Sequence, residues 1–396
     1  MDFVTHYLRP ESRADWICCL GFVLLSAVLY LLPTGFEDQV DSRGVRCRGE
    51  VLSVDNSEVI KTGMVSQGTQ ELELELLDGA KKGHIVEASN HLMGQMDRDE
   101  IFAPGDVALV VLTLSPDGSI QYVNAQAQYR IGGEMVLLGG FAVLLLLFAG
   151  WTGAKALLSF AFAALGIWKI LVPAMLKGAD PVLVSLAVVV GLAAAIIFLV
   201  AGVNRRGLTA FTGCILGVGI SCLLGLYFVE SLHIHGAVLP FSETLLYSGF
   251  AHLDLERVFI GAVFLAASGA VMDLAVDVAA SMEEVAAKKP DISRTELIRS
   301  GLHVGRAVVG TMTTTLLLAY SGGYVTLFMA FMAQGIPMVN FFNLVYVAAE
   351  VLKTLVGSLG LVAVGPLTAV AGGFILARGG SPARTAAPAN PGQAPG

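Results

Sequence analysis

Residues 181–203 read Pro181-Val-Leu-Val-Ser-Leu-Ala-Val-Val-Val-Gly-Leu-Ala-Ala-Ala-Ile-Ile-Phe-Leu-Val-Ala-Gly-Val203, 23 positions without one charged side chain. At 1.5 Å per residue such a run makes a helix of about 35 Å, enough to cross the roughly 30 Å hydrocarbon core of a bilayer. A helix that is apolar all round needs apolar surroundings on every side, so this stretch points to lipid as its solvent. Similar runs occur at 16–33, 131–150, 155–176, 208–230, 257–280, 304–328 and 355–377. The sequence therefore predicts a polytopic α-helical membrane protein with about eight transmembrane helices. Composition agrees: 55% of the 396 residues are hydrophobic and 14% charged, with a mean hydropathy of +0.73, against about 25% charged residues in soluble domains.

The first run ends in Pro33-Thr34-Gly35-Phe36-Glu37-Asp38 without a small-x-small cleavage site, so residues 1–33 read as a retained anchor. Eight spans place both termini on one side. Basic residues select that side: Lys155, then Arg205 and Arg206, then Lys288, Lys289, Arg294 and Arg299 fall in alternate loops, joined by Arg9, Arg13, Arg378 and Arg384. The positive-inside rule then makes both termini cytoplasmic. Residues 329–354 interrupt the pattern, because Gln334, Pro337, Asn340, Asn343, Glu350 and Lys353 dilute them. The part from Phe341 to Lys353 reads as a short interfacial or re-entrant helix. The Pro-, Ala- and Gly-rich stretch 379–396 reads as a disordered cytoplasmic tail.

Residues 45–130 are different material. Glu71-Leu-Glu-Leu-Glu-Leu alternates strictly, and Asp78-Gly79, Pro104-Gly105-Asp106 and Pro116-Asp117-Gly118 punctuate short apolar runs. Period-two alternation between turn signals marks strands. A small extracytoplasmic β domain follows, either an OB-like barrel or a sandwich.

Ionisable residues inside a span cost several kcal/mol unless paired or wet, so each marks a candidate site. Ala262, Ala266, Ala270, Asp273 and Asp277 step by four, four, three and four, one helical face whose small residues would let a neighbour approach and turn the aspartates inward. The next span carries Arg306 and the run Thr311-Met-Thr313-Thr314-Thr315. Antiparallel neighbours should bring Asp277 and Arg306 to similar depth. The expectation is an intramembrane polar site of Asp273, Asp277 and Arg306, with Thr311, Thr313 and Thr314 lining the way outward, used for cation or proton coupling; the plainer alternative is a static pair that locks two helices. Lys169 and Glu350 are secondary candidates; Lys169 either faces a cavity or snorkels to the interface. In an extended strand His233 and His235 would share a face and could hold a metal ion, although spacing fixes no third ligand.

Several classes are excluded. A net charge of −8 argues against a nucleic-acid partner. There is no Walker loop, His-Glu-x-x-His or Gly-x-Ser-x-Gly, so no enzyme activity and no cofactor is expected. The five cysteines give no disulfide or zinc spacing. The partners implied are the lipid bilayer and an unknown small solute or ion; a homo-oligomer is left open.

Gly269-Ala-Val-Met-Asp273, Ser300-Gly-Leu-His-Val-Gly305-Arg306 followed by Gly310-Thr-Met-Thr313, Glu350, Val356-Gly-Ser-Leu-Gly-Leu-Val362 and Gly365-Pro-Leu-Thr368 together resemble the YibE/F-like family of bacterial integral membrane proteins. The resemblance extends over nearly the whole chain, the strands and the Pro104-Gly105-Asp106 turn included. The family pattern has an acid after the arginine and an Asn within the Thr run, where this chain has Ala307 and Thr314, and a small polar residue in place of Asp277. The resemblance implies a multi-pass protein of the bacterial cytoplasmic (inner) membrane with transporter-like architecture. The expected function is a secondary transporter or exporter-like permease. The alternative is a non-transporting scaffold or sensor whose β domain binds an envelope partner.

Overall fold

The computed structural model describes residues 13–39 and 44–377. The tail at 379–396 and the basic residues Arg9, Arg378 and Arg384 lie outside the described residues. The chain divides into two compact units, one of residues 35–147 and the other of residues before and after it.

The first unit is built on six strands: β1 (Gly44–Asp55), β2 (Val59–Thr62), β3 (Val65–Leu76), β4 (Ile85–Met93), β5 (Val107–Leu114) and β6 (Ile120–Gln128). Their order is β1-β5-β6-β4-β3-β2, and β1 also pairs with β3, which closes five of them into a barrel with β2 as a flap on β3. Every pairing is antiparallel except β4 with β6, which meet at Ser89 and Asn124. Closure with one parallel contact between the third and fifth barrel strands is the OB arrangement, so of the two expected forms the barrel is found. Alternation sets the faces: Gln70, Leu72, Leu74 and Leu76 are buried while Glu71 and Glu73 are exposed. The core comprises Val51, Leu74, Val110, Val123 and Phe102 among others. Where β3 leaves its turn, Gly68 adopts φ 113°, and a Cβ there would overlap the Glu58 carbonyl, so only glycine fits.

One inward position is polar. Gln70 is fully buried, and its amide donates to Asn56 Oδ1 (2.8 Å) and the Phe102 carbonyl (3.0 Å). Its oxygen accepts from Phe102 N–H (3.0 Å) and Asn90 Nδ2 (3.1 Å). Asn90 also donates to the Glu100 carbonyl at 2.7 Å. Strands alone would leave the barrel interior open at this level; the Gln70–Asn90 pair holds the β4–β5 loop so that Phe102 fills it.

The helical unit begins with α1 (Arg13–Leu31). After the barrel come α2 (Ile131–Gly166), a π-helical turn at Ile167–Leu171, α3 (Val172–Leu176), α4 (Pro181–Val200), α5 (Arg205–Ser231), α6 (Ser242–Tyr247), α7 (Leu255–Lys288), α8 (Arg294–Gly322), α9 (Val325–Ala333), α10 (Met338–Asn343) and α11 (Val345–Ile375). Among the described residues six helices are long and apolar enough to cross a membrane. The expected eight are not reached for two reasons. Residues 131–176 count as one stretch although two helices meet there across a kink at Gly150 (φ 53°, ψ −127°), and the apolar part of α1 is shorter, Trp16–Leu31. The last two spans also shift: α8 starts ten residues before the expected 304, and α11 starts at Val345, which draws Glu350 and Lys353 into the final long helix.

Helix packing follows small residues, as expected where apolar burial gives no preference for protein over lipid. On α5, Gly213, Gly217 and Ser221 meet Thr368, Val364 and Gly360 of the antiparallel α11, and Gly305 of α8 lies against Gly365. At one end of the bundle Asp180 caps α4 through the Val182 and Leu183 amides and pairs with Arg257 at 2.6 Å. The Arg257 hydrogen bond holds the Asp180 carboxyl below the usual carboxylate range, against desolvation. At the other end Arg206 pairs with Glu283 at 3.6 Å and Lys289 with Glu296 at 3.2 Å. Two of the basic loops singled out in the sequence, 204–206 and 288–299, thus meet at one end, whereas Lys155, expected in a loop, is buried within α2.

Candidate functional site

Helix α7 has 34 residues, about 51 Å, and is packed by α4, α5, α8 and α11 on most of its circumference. Its buried face carries Phe264, Val271, Leu274, Ala275, Val278 and Met282. The Ala266, Asp273 and Asp277 face is exposed instead. This corrects the expectation that the small-residue stripe packs inward: larger side chains on the opposite face fill the core, and the stripe borders a groove. That groove, about 370 Å³, lies between α4 (Ile196, Ile197, Val200), α7 (Asp273, Asp277) and α8 (Val308, Met312).

Arg306 is not part of it. Gly305 sits against Val278, so Arg306 and Asp277 do share a depth, but Arg306 turns to a separate cavity of about 240 Å³ with Val309, Val362, Gly365 and Pro366. Gly305 lies between Gly365 of α11 and Val278 of α7, and Arg306, about 100° further round α8, opens on the α11 side. Among the described residues no ion pair joins Arg306 to Asp273 or Asp277. The expected three-residue cluster is not assembled, and two carboxylates one turn apart face the groove without a basic partner.

The threonine hydroxyls are bonded within their own helix. Thr311 donates to the Val308 carbonyl, Thr313 to Val309 and Gly310, Thr314 to Gly310 and Thr315 to Thr311, all within α8. Such back-bonding satisfies a hydroxyl inside lipid without a partner helix. Lys169, on the π-helical turn, donates to the Leu32 carbonyl at 2.9 Å, just past the C-terminus of α1. A cation there answers the helix dipole and an orphan carbonyl, which makes it a cap. His233 (φ 51°) and His235 are exposed on a turn on either side of buried Ile234, not on the extended strand expected. Among the described residues no group of three His, Cys, Asp or Glu is placed to hold a metal ion, so no third ligand joins the pair there.

Glu350 has a different fate. Its Oε1 accepts from Lys353 Nζ at 3.1 Å, and the two side chains are only 12% and 19% exposed. The ammonium also lies over the rings of Tyr320 (5.0 Å) and Tyr324 (5.5 Å). The short helices α9 and α10, turned at Gly335 (φ 65°), lay Phe328, Phe341 and Phe342 around the same place. Sequence reasoning missed this cage; the readable signal was the i, i+3 spacing of opposite charges inside an apolar stretch.

A bundle of long apolar helices, with a five-stranded barrel inserted in the chain between the first helix and the rest and with carboxylates within one of the long apolar helices, defines a polytopic membrane protein. The model of the YibE/F-like protein family matches residues 137–378, and the chain belongs to that family. The matched stretch begins after the strands, so the barrel lies outside it, narrower than the resemblance drawn from the sequence. Comparison with curated proteins and with solved structures gives no match.

Proposed function

We propose that this YibE/F-like protein is a secondary transporter or exporter-like permease of the bacterial inner membrane, with Asp273 and Asp277 as its cation or proton site. One observation carries this reading: two neighbouring carboxylates without a basic partner open into a groove of about 370 Å³ between α4, α7 and α8. That volume lies within the roughly 300–1,000 Å³ of small-molecule sites and has room for water or a partly hydrated ion. Carboxylates at i and i+4 about 6 Å apart repel by about 3 kcal/mol at an effective dielectric of 20. A cation or a shared proton between them removes that repulsion, which is the chemistry of a coupling site.

In this reading the Arg206–Glu283 end of the bundle faces the cytoplasm by the positive-inside rule, and the barrel is extracytoplasmic. Residues 131–149 and 151–176, separated at Gly150, count as two crossings, and α1 adds another to restore eight. The test is proton and sodium flux in vesicles containing the purified full chain. Wild type should carry one of the two, and Asp273→Asn should lower it at least tenfold. Absence of both fluxes in wild type, or unchanged flux in a folded Asp273→Asn, Asp277→Asn double variant, removes the transport reading and leaves the scaffold.

A further inference from the structure

Where α5 begins and α7 and α11 end, a cavity of about 370 Å³ is bounded by Arg205, Glu283, Ala287, Ile292 and Leu376 among others. Its two charged residues are opposite in sign and both are accessible: Arg205 is exposed, and the Glu283 side chain keeps 41% of its surface. They do not neutralise each other. Among the described residues Arg205 makes no ion pair, and Glu283 pairs with Arg206 alone. That pair is loose, because Arg206 Nε stands 3.6 Å from Glu283 Oε2, beyond hydrogen-bond range, while the same guanidinium donates to the Ala201 carbonyl at 2.8 Å. The basic residues that follow α7 are engaged elsewhere: Lys288 with Glu284 at 2.6 Å, Lys289 with Glu296 at 3.2 Å, and Arg294 over the Phe374 ring at 4.6 Å.

The rest of the wall is apolar, with Ile292 and Leu376 only 7% and 6% exposed. A ligand that satisfies all of it carries an anion for Arg205, a hydrogen-bond-donating cation for Glu283 and an apolar portion. A simple anion would leave Glu283 facing it, and a simple cation would meet Arg205. The planar guanidinium matches phosphate oxygens, and a primary ammonium offers three donors to a carboxylate. Long apolar helices end here, at the depth where lipid headgroups meet acyl chains, and basic pockets between such helices are places where headgroups bind. We propose that this cavity is a binding site for a phospholipid whose headgroup joins a phosphate to a primary amine, the phosphatidylethanolamine class. The phosphate lies on Arg205 and the ammonium on Glu283. The site is apart from the Asp273 groove and does not rest on the transport reading.

The test is native mass spectrometry of the purified full chain in detergent, titrated with phosphatidylethanolamine, phosphatidylcholine and phosphatidylglycerol of identical acyl chains. The ethanolamine lipid should bind at least tenfold more tightly than the other two, because a trimethylated nitrogen has no donor for Glu283 and a glycerol headgroup has no cation. Glu283→Gln should erase that preference, whereas Arg205→Gln should weaken all three lipids about tenfold, the loss of one charge-assisted contact. Ala287→Trp, at an exposed wall position, should abolish the preference while the helical circular dichroism and melting temperature persist. Equal binding of the three lipids, preference for the glycerol lipid, or an unchanged preference in a folded Glu283→Gln or Ala287→Trp protein overturns the proposal. Displacement of the lipid by an equal concentration of soluble phosphoethanolamine makes the free zwitterion the ligand, and that also overturns it.

Discussion

Replacing Gln70 with leucine tests whether the barrel is closed by one buried amide. The change keeps nearly the same volume, so the difference is chemical. Gln70 is fully buried and makes four hydrogen bonds. Asn56 is exposed and can turn to water, and Asn90 keeps its bond to Glu100. The Phe102 N–H and carbonyl have no such escape, because Phe102 is only 2% exposed. Two orphaned backbone groups cost about 1–3 kcal/mol each, and the gain from burying leucine in place of an amide offsets about 1 kcal/mol. The net loss is about 3 kcal/mol, or roughly a hundredfold in the opening equilibrium. Hydrogen exchange of the full chain in detergent reads this directly: peptides covering 98–106 and β3 should exchange about a hundred times faster, while those of α5 and α11 stay unchanged. A change under about threefold at Phe102 would refute the claim that Gln70 holds the loop in place.

Three further outcomes follow from the same geometry. The Arg48 amide and guanidinium both donate to Asp78 at 2.8 Å and hold its carboxyl below the ordinary range; a depressed folded value contributes stability above the unfolded pKa of about 3.9 that is lost as pH falls through the folded one. Exchange protection of β1 should therefore drop more steeply below about pH 5 in wild type than in Asp78→Asn, with the two converging at low pH, and parallel curves would refute the pairing; the half-exposed pair keeps the effect small. Lys169→Met should speed exchange at residues 28–32 about fivefold, the worth of a cation at a helix C-terminus, and no change would deny the cap. Gly360→Ala puts a methyl group onto Ser221 Oγ between α5 and α11 and should cost about 1–3 kcal/mol, seen as a melting temperature several degrees lower; Gly191→Ala, which meets nothing, should not lower it.

The sequence by itself determined the solvent and the layout. Uncharged runs such as 181–203 can be satisfied only by lipid or by each other, and the alternation at 71–76 can be satisfied only by a strand with one buried face, so both are local properties that need no partner to be read. The same holds for the family, legible in short motifs, and for the basic loops 204–206 and 288–299, which gather at one end. Tertiary structure decided what depends on rotation about a helix axis and on which neighbour arrives. Asp273, Asp277 and Arg306 have the depth the spacing implies, yet one position of rotation sends Arg306 toward α11 and leaves the carboxylates in a groove with α4. Glu350, one polar letter in an ambiguous segment, becomes half of a caged ion pair because α11 begins a helical turn before it. Side-chain period fixes a stripe, but whether the stripe faces the core is set by the bulk of the competing face, and that competition exists only once the helices are packed.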